Sequence, residues 1–364
     1  MQGYFSIIED PRHQSYVKHN LGDVLIIVMC AVMCGLGKLC DIVAFAENKA
    51  DFFSRYFNID KIPSKPTFSR ILSLVDGQKV AETIIAVMQD KFGLHGNVVA
   101  VDGKAIRSTS ESGKARSSLQ IITAYLTESG VVLSQKKIND KTNEIPVFQE
   151  MLGYLNIQGK TITADAMHCQ RETCALITSK GGDYVIGLKG NQGNLREDVA
   201  TYFQEYPDKK EIDEYTTLEK SGGRIEKRKC KVIISGQWLQ ERHNWPGIKT
   251  AICIERTVTK GKAVQTETSY YITSSDKSAK ALMEIVREHW QIESMHWSLD
   301  VLFSEDVSRF SSENAHICLN AMRKYALQRH KNYISANGKK CSVKRHLLDC
   351  LLNDSLLIDV IKGV

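Results

Sequence analysis

Apolar residues follow a helical period from residue 20 to residue 92 and then give way to short β-branched runs. Residues 21–36 are apolar on nearly every side, which predicts a helix buried all round. Residues 41–56 are amphipathic, with Ile42, Phe45, Phe52 and Phe53 on the apolar stripe. Ser64 followed by Pro66 is a helix start, so 66–75 is predicted helical. Thr67, Ser69 and Arg70 are then its polar face. That layout fits either a helix-turn-helix recognition helix or the solvent side of a packed helix.

Val98-Val99-Ala100-Val101 opens the second regime as a strand that ends in Asp102. Strands follow at 120–126 and 131–137, joined by a Ser129-Gly130 turn. Next come a helix at 146–155, the strand Thr161-Ile162-Thr163-Ala164 ending in Asp165, a helix at 170–179 and a strand at 184–188. This order predicts an α/β fold with a mixed sheet and crossover helices. Residues 214–275 read as all β, with Val/Ile/Thr-rich runs at 228–235, 249–259 and 266–273 between glycine turns. The chain is helical again from 279 to about 330, and 344–361 is a final helix.

Two aspartates at strand ends mark the edge where ligand sites collect in α/β sheets. Each alone is also an ordinary cap residue. Together they need a positive charge between them to stay ionised, and hard oxygen donors suit Mg²⁺ or Mn²⁺. The third element is 289–301, in which His289, Glu293, His296 and Asp300 recur at 0, +4, +7 and +11 on one helix face. Ile292, Met295, Leu299 and Phe303 form the neighbouring core stripe. Two histidines and two acids beside a core stripe suggest a cleft. A zinc site and a structural polar network are alternatives, although His-x₃-Glu-x₂-His is not the His-Glu-x-x-His of metalloproteases. Glu293 as a third metal-binding carboxylate is the preferred reading.

Composition changes the picture little: 364 residues, 43% hydrophobic and 25% charged, describe a globular chain rather than a disordered one. The longest apolar run, 24–34, is too short to cross a bilayer, and no secretion signal is read at the N-terminus. Ten scattered cysteines contain no Cys-x-x-Cys pair, so reduced cytosolic thiols are expected and a zinc ribbon is not. The net charge of +6 is mild but uneven. Residues 214–275 carry 11 basic and 6 acidic side chains, including Arg224, Lys227, Arg228, Lys229 and Lys231. Between Arg323 and Arg345 there are eight Lys/Arg and no acid. Each cluster is either a solvated face or a contact for a polyanion.

Taken together, several blocks form a pattern: Phe5-Ser6-Ile7-Ile8-Glu9-Asp10-Pro11-Arg12, Pro66-Thr67-Phe68-Ser69-Arg70, Val101-Asp102-Gly103-Lys104 and Asn143-Glu144-Ile145-Pro146. They continue with Asp165-Ala166-Met167-His168-Cys169-Gln170, Leu188-Lys189-Gly190-Asn191-Gln192 and the 289–301 helix with Phe303, Glu305 and Asp306. In these the chain resembles the DDE transposases of bacterial insertion sequences, most closely the H-repeat-associated transposases. The resemblance implies an RNase H-like catalytic core with an inserted all-β region and an N-terminal helical domain. The implied units are 1–95, a helical DNA-binding region; 96–213, the first part of the core; 214–275, the β insertion; 276–330, the helix with Glu293; and 331–364, a basic tail and helix.

The resemblance further implies Asp102, Asp165 and Glu293 as catalytic residues holding two Mg²⁺ or Mn²⁺ ions, with Asp102 bridging them. The implied activity is cleavage at element ends and 3′-OH strand transfer into target DNA. A nuclease of the same fold, or an inactive or domesticated DNA-binding relic, are the rival functions. The implied partners are double-stranded DNA, as terminal repeats and target, and a second copy of the chain; the expected location is the bacterial cytoplasm at the nucleoid. Candidate DNA contacts are Lys104, Arg107, Lys189, Asn191, Gln192, Arg224, Lys227, Arg228, Lys229, His289, Trp290, His296 and Arg323. The wider group has Tyr, Arg and Lys where this chain has Val286, His289 and Asp300.

Overall fold

The computed structural model of the chain describes residues 2–109, 118–138, 143–205 and 210–363. Six helices come first: α1 (Gln2–Phe5), α2 (Leu21–Met33), α3 (Leu39–Asn48), α4 (Ala50–Phe57), α5 (Lys65–Leu74) and α6 (Gly77–Phe92). Asn20 caps α2 by accepting from Gly22 N, and Asp76 caps α6 by accepting from Gln78 N and Lys79 N. Every residue of α2 except Asp23 is buried, as its unbroken apolar sequence requires.

Three strands follow, β1 (Val98–Ile106), β2 (Leu119–Leu126) and β3 (Val131–Ile138), then α7 (Glu144–Tyr154), β4 (Thr161–Ala164), α8 (Arg171–Ser179), β5 (Asp183–Leu188) and α9 (Gly193–Glu205). The segment read as all β contains β6 (Ile212–Ser221), β7 (Arg224–Ile233), β8 (Thr250–Lys260) and β9 (Ala263–Thr273), with one helix, α10 (Gln237–His243). Last come α11 (Ala279–Phe303), α12 (Glu313–Ala336), α13 (Val343–Leu352) and α14 (Asp354–Lys362). The single C-terminal helix expected at 344–361 is therefore two helices, broken where Asn353 caps α14 by accepting from Leu356 N.

All nine strands form one mixed sheet, in the order β3-β2-β1-β4-β5-β9-β8-β7-β6. β1, β4 and β5 are parallel, and the remaining pairs are antiparallel. The β-rich segment pairs with β5 through Val185↔Thr273 and prolongs the sheet. β1 also runs further than expected. Its pairing with β4 stops at Val101↔Ala164, but its pairing with β2 continues to Ile106↔Leu119. Asp102 is thus not at the end of its strand; it lies where the strand loses one of two neighbours.

Strand periodicity assigns the faces. Val99 and Val101 pack with Phe148, Ile162 and Ile186 on the side of α7 and α8. Ala100 joins the opposite core with Ile292, Met295 and Leu299 of α11. Asp102 shares the parity of Ala100, and Asp165 that of Thr163, so both carboxylates lie on the α11 side. The helical region 1–95 has no core of its own: Val24, Phe53, Phe68 and Ile84 belong to the same cluster as Ala100, Met295, Met322 and Leu347. The C-terminal segment likewise buries Leu357 and Val360 there and is no loose tail. Among the described residues, no helix is long and apolar enough to cross a membrane, and none of the cysteines is in a disulfide.

Candidate active site

α11 crosses the sheet on the face that carries Asp102 and Asp165. Its N-terminus is capped by Ser278, which accepts from Ala281 N. Ile292, Met295, Leu299 and Phe303 anchor it in the core, each at most 2% exposed. The adjacent stripe then faces the strands. His296 Nδ1 lies 3.2 Å from Asp102 Oδ2, and His289 Nδ1 is hydrogen-bonded to Thr163 Oγ1 at 3.0 Å. The two histidines peg the helix to β1 and β4, one turn to either side of Glu293. Burial pushes both imidazoles below their ordinary value, against the pull of Asp102. Glu293 moves the other way: burial, then the charges of Asp102 and Asp165, raise its carboxyl, with Lys189 opposing. Burial pushes the nearby Tyr271 hydroxyl up to about 12, with Asp165 and Glu293 adding to it.

The donor set fits a hard divalent cation. Three carboxylates from three elements feel one another's charge, and each has only oxygen to offer. The Nε2 atoms of His289 and His296 are buried beside them without a hydrogen-bond partner among the described residues. The carboxylates do not close into a cage by themselves. Among the described residues, the one group of three ligand atoms lying within 4.8 Å of one another is His330, His346 and Cys350, elsewhere in the fold.

Two neighbouring motifs brace the site. A Cβ on Gly103 would lie 2.5 Å from Glu144 Oε1, and that same oxygen is 3.1 Å from the buried His168 Nε2. Glu144 therefore ties the loop after Asp165 to the residue after Asp102; it is a supporting residue the sequence reading did not single out. Asn191 Nδ2 donates to Ala166 O at 2.7 Å and Gln192 Nε2 to Cys169 O at 2.9 Å, so both hold the loop that follows Asp165.

Behind Asp102 lies a second set of charges. Lys104 Nζ donates to Asp300 Oδ1 at 2.6 Å, Glu305 Oε2 at 2.8 Å and His296 O at 3.1 Å. Glu305 is fully buried and also accepts from Asn320 Nδ2 at 3.0 Å and Arg323 at 3.3 Å. Burial opposes the Glu305 charge, but Arg323 and Lys104 outweigh it and bring the carboxyl down to about 2. Lys324 donates to Thr123 Oγ1 at 2.8 Å and Gln135 Oε1 at 2.9 Å, and burial pushes its ammonium down to about 7.

These contacts correct three of the expected DNA contacts. Arg323 is 0% exposed, and its charge is spent on Glu305. His296 is buried against Asp102. Lys104 points inward to two carboxylates. The acid-free run from Arg323 to Arg345 is accordingly no continuous basic surface. Arg323 and Arg329 find partners distant in sequence, the latter donating through Nε to Val360 O at 2.5 Å, whereas Lys339, Lys340, Lys344 and Arg345 are exposed.

The other candidates stay near solvent. A cleft of ≈ 780 Å³ runs from Asp165 and Glu293 along the sheet, beside Lys189, Arg196, Arg224, Arg228, Arg256 and Arg287, with Glu226 and Glu267 the acids beyond its carboxylate end. Arg228 is paired with Glu226 at 2.7 Å and Glu219 at 3.2 Å, and Lys229 with Glu214 at 2.8 Å. Lys227 is exposed. His289 and Trp290 line the same cleft, and Trp290 is 54% exposed. Arg107 lies outside it, exposed, with its backbone N donating to Asp306 Oδ1 at 3.0 Å.

A mixed sheet with two carboxylates on one face, a third on the helix that crosses it and an arginine-lined cleft alongside make this a candidate phosphoryl-transfer site. Residues 93–327 match the family model described as "Transposase DDE domain", and residues 2–88 match the model described as "DDE_Tnp_1-associated". "Putative transposase YncI" of Escherichia coli O157:H7 is 33% identical over 98% of this chain and 93% of its own length. "H repeat-associated putative transposase YhhI" of Escherichia coli (strain K12) is 32% identical over 99% of this chain and 97% of its own. Among solved structures, a piggyBac transposase synaptic complex with hairpin DNA aligns at a TM-score of 0.48 and 12% identity, covering 99% of this chain and 77% of that one. The chain belongs to the DDE transposase family.

Proposed function

We propose that the chain cuts DNA at the ends of its own mobile element and joins the freed 3′ ends to target DNA, with Asp102, Asp165 and Glu293 as the catalytic carboxylates. The observation that carries this reading is the convergence of β1, β4 and α11. It leaves three acids facing each other, with Lys189 the opposing charge felt at Glu293. Two Mg²⁺ or Mn²⁺ ions held by these residues would supply the chemistry, making a nucleophile from water or a 3′-OH and stabilising the leaving oxygen.

The chain's own residues position that centre. His296 fixes one oxygen of Asp102, and His289 fixes the helix against Thr163. Lys104 ties β1 to the far end of α11 through Asp300 and to the segment after it through Glu305. Lys189 and Arg196 offer cations to a phosphate backbone, the cleft's other guanidinium groups being paired with Glu219, Glu226 and Glu267, and Trp290 offers an aromatic face next to Glu293. We read β1 to β5 as the RNase H-like core and β6 to β9 as an insertion that enlarges the DNA-facing surface. Pairing two element ends calls for two copies of the chain on DNA.

The test is a nicking and joining assay with the terminal repeats that flank the gene. Cleavage is expected with Mg²⁺ and to be lost in Asp102→Asn, Asp165→Asn and Glu293→Gln, while DNA binding persists. Cleavage by any of these variants at the wild-type rate would remove that residue from the catalytic set. A pre-nicked end that is never joined to target would identify a nuclease instead.

A further inference from the structure

Far from the carboxylates, α12 and α13 bring three soft or borderline donors together in the core. His330 lies on α12, and His346 and Cys350 lie one turn apart on the same face of α13. Their ligand atoms are all within 4.8 Å of one another, and all three residues are buried, at 0%, 1% and 0% exposure. His330 Nε2 is 2.8 Å from Met33 O. A carbonyl can only accept, so Nε2 carries the proton and Nδ1 is left with a lone pair. That Nδ1 is 2.8 Å from His346 Nδ1. A histidine that donates one nitrogen to a backbone carbonyl and turns the other into a polar cluster has the orientation of a metal ligand.

With the two Nδ1 atoms turned to each other, His346 Nε2 is buried with no partner among the described residues.

We propose that His330, His346 and Cys350 bind one zinc ion that staples α13 to α12. Two imidazole nitrogens and a thiolate buried together suit Zn²⁺ rather than Mg²⁺, which takes oxygen ligands. Two nitrogens on one zinc stand about 3.3 Å apart, so the imidazoles part by a fraction of an ångström from their present spacing. Binding releases the proton of the Cys350 thiol to solvent. Because every donor is buried, the metal enters before α13 closes over it.

The test uses the full chain, refolded under reducing conditions with zinc and dialysed against a weak chelator. One zinc per chain is expected for the wild type, for Cys40→Ala (an exposed cysteine) and for Asp165→Asn, which separates this site from the carboxylates. Cys350→Ala and His346→Gln are expected to lose that equivalent, and their unfolding midpoints to stop responding to zinc. Cobalt(II) in the wild type is expected to give thiolate charge-transfer absorption with tetrahedral d–d bands, a readout that needs no variant to fold. A wild type without retained zinc and without the cobalt–thiolate band, or zinc retained by both Cys350→Ala and His346→Gln, would overturn the proposal.

Discussion

Two clusters of charge lie side by side between β1 and α11, and they differ in how their charges are met. Around Lys104, every charge is matched: Asp300 and Glu305 take the ammonium, Arg323 and Asn320 take what remains of Glu305, and Glu305 and Arg323 are fully buried. Around Asp102, Asp165 and Glu293 the acids outnumber their partners, and burial together with the charges of Asp102 and Asp165 raises Glu293. The matched cluster fixes how α11 and α12 sit on the sheet. The unmatched cluster carries an excess of negative charge, which a bound cation would relieve.

The contrast can be broken from either side. Glu305→Gln leaves Arg323 and Lys104 buried with too little negative charge, and is expected to cost about 3–5 kcal/mol in urea unfolding. A loss of less than about 1 kcal/mol would mean the network is slack. Glu293→Gln removes charge from the unmatched cluster, so the fold should be as stable as the wild type. Its cleavage rate should nevertheless fall at least about a hundredfold. His296→Asn joins the two clusters in one test. It should leave cleavage measurable while raising the Mg²⁺ concentration needed for half-maximal rate by about 10–100-fold, as expected for loss of a residue that orients a ligand.

The pH dependence separates the clusters further. Glu305 is depressed to about 2, so its stabilising contribution is complete above the ordinary carboxylate range and is lost as pH falls through that range toward about 2. Lys324 is depressed to about 7, so between there and its ordinary value the unfolded chain binds the extra proton and stability rises with pH. Lys324→Met should flatten that alkaline rise in the urea midpoint, whereas Glu293→Gln should leave it in place. The smallest effect belongs to the exposed basic surface: Lys227→Ala should lower the salt slope of DNA binding by about 0.9 if it meets one phosphate, whereas Arg323→Lys should leave the slope unchanged.

Much of this was legible in the sequence because it depends on local period. The apolar runs leading to Asp102 and Asp165, and the 0, +4, +7, +11 stripe of α11, are read from local period; that the stripe lies against those strands is seen only in the fold. What failed was whatever depended on partners distant in sequence. Arg323 reads as surface because no acid lies between it and Arg345, yet its counter-ion Glu305 comes from the segment before α12. Asp102 reads as a strand end because the apolar run stops there, but β2 keeps β1 extended to Ile106. Short or two-faced elements were also missed. α10 has only seven residues between Gly236 and Asn244, and β6, an edge strand, alternates half-buried and exposed residues without a clear apolar face.

The central claim is that Asp102, Asp165 and Glu293 hold the metal that drives cleavage. Asp102→Cys tests it directly, because a thiolate replaces a hard oxygen ligand with a soft one at the same place. DNA cleavage by this variant should be abolished in Mg²⁺ and partly restored when Mn²⁺ replaces it. Cleavage at the wild-type rate in Mg²⁺, with no difference between the two metals, would contradict the account.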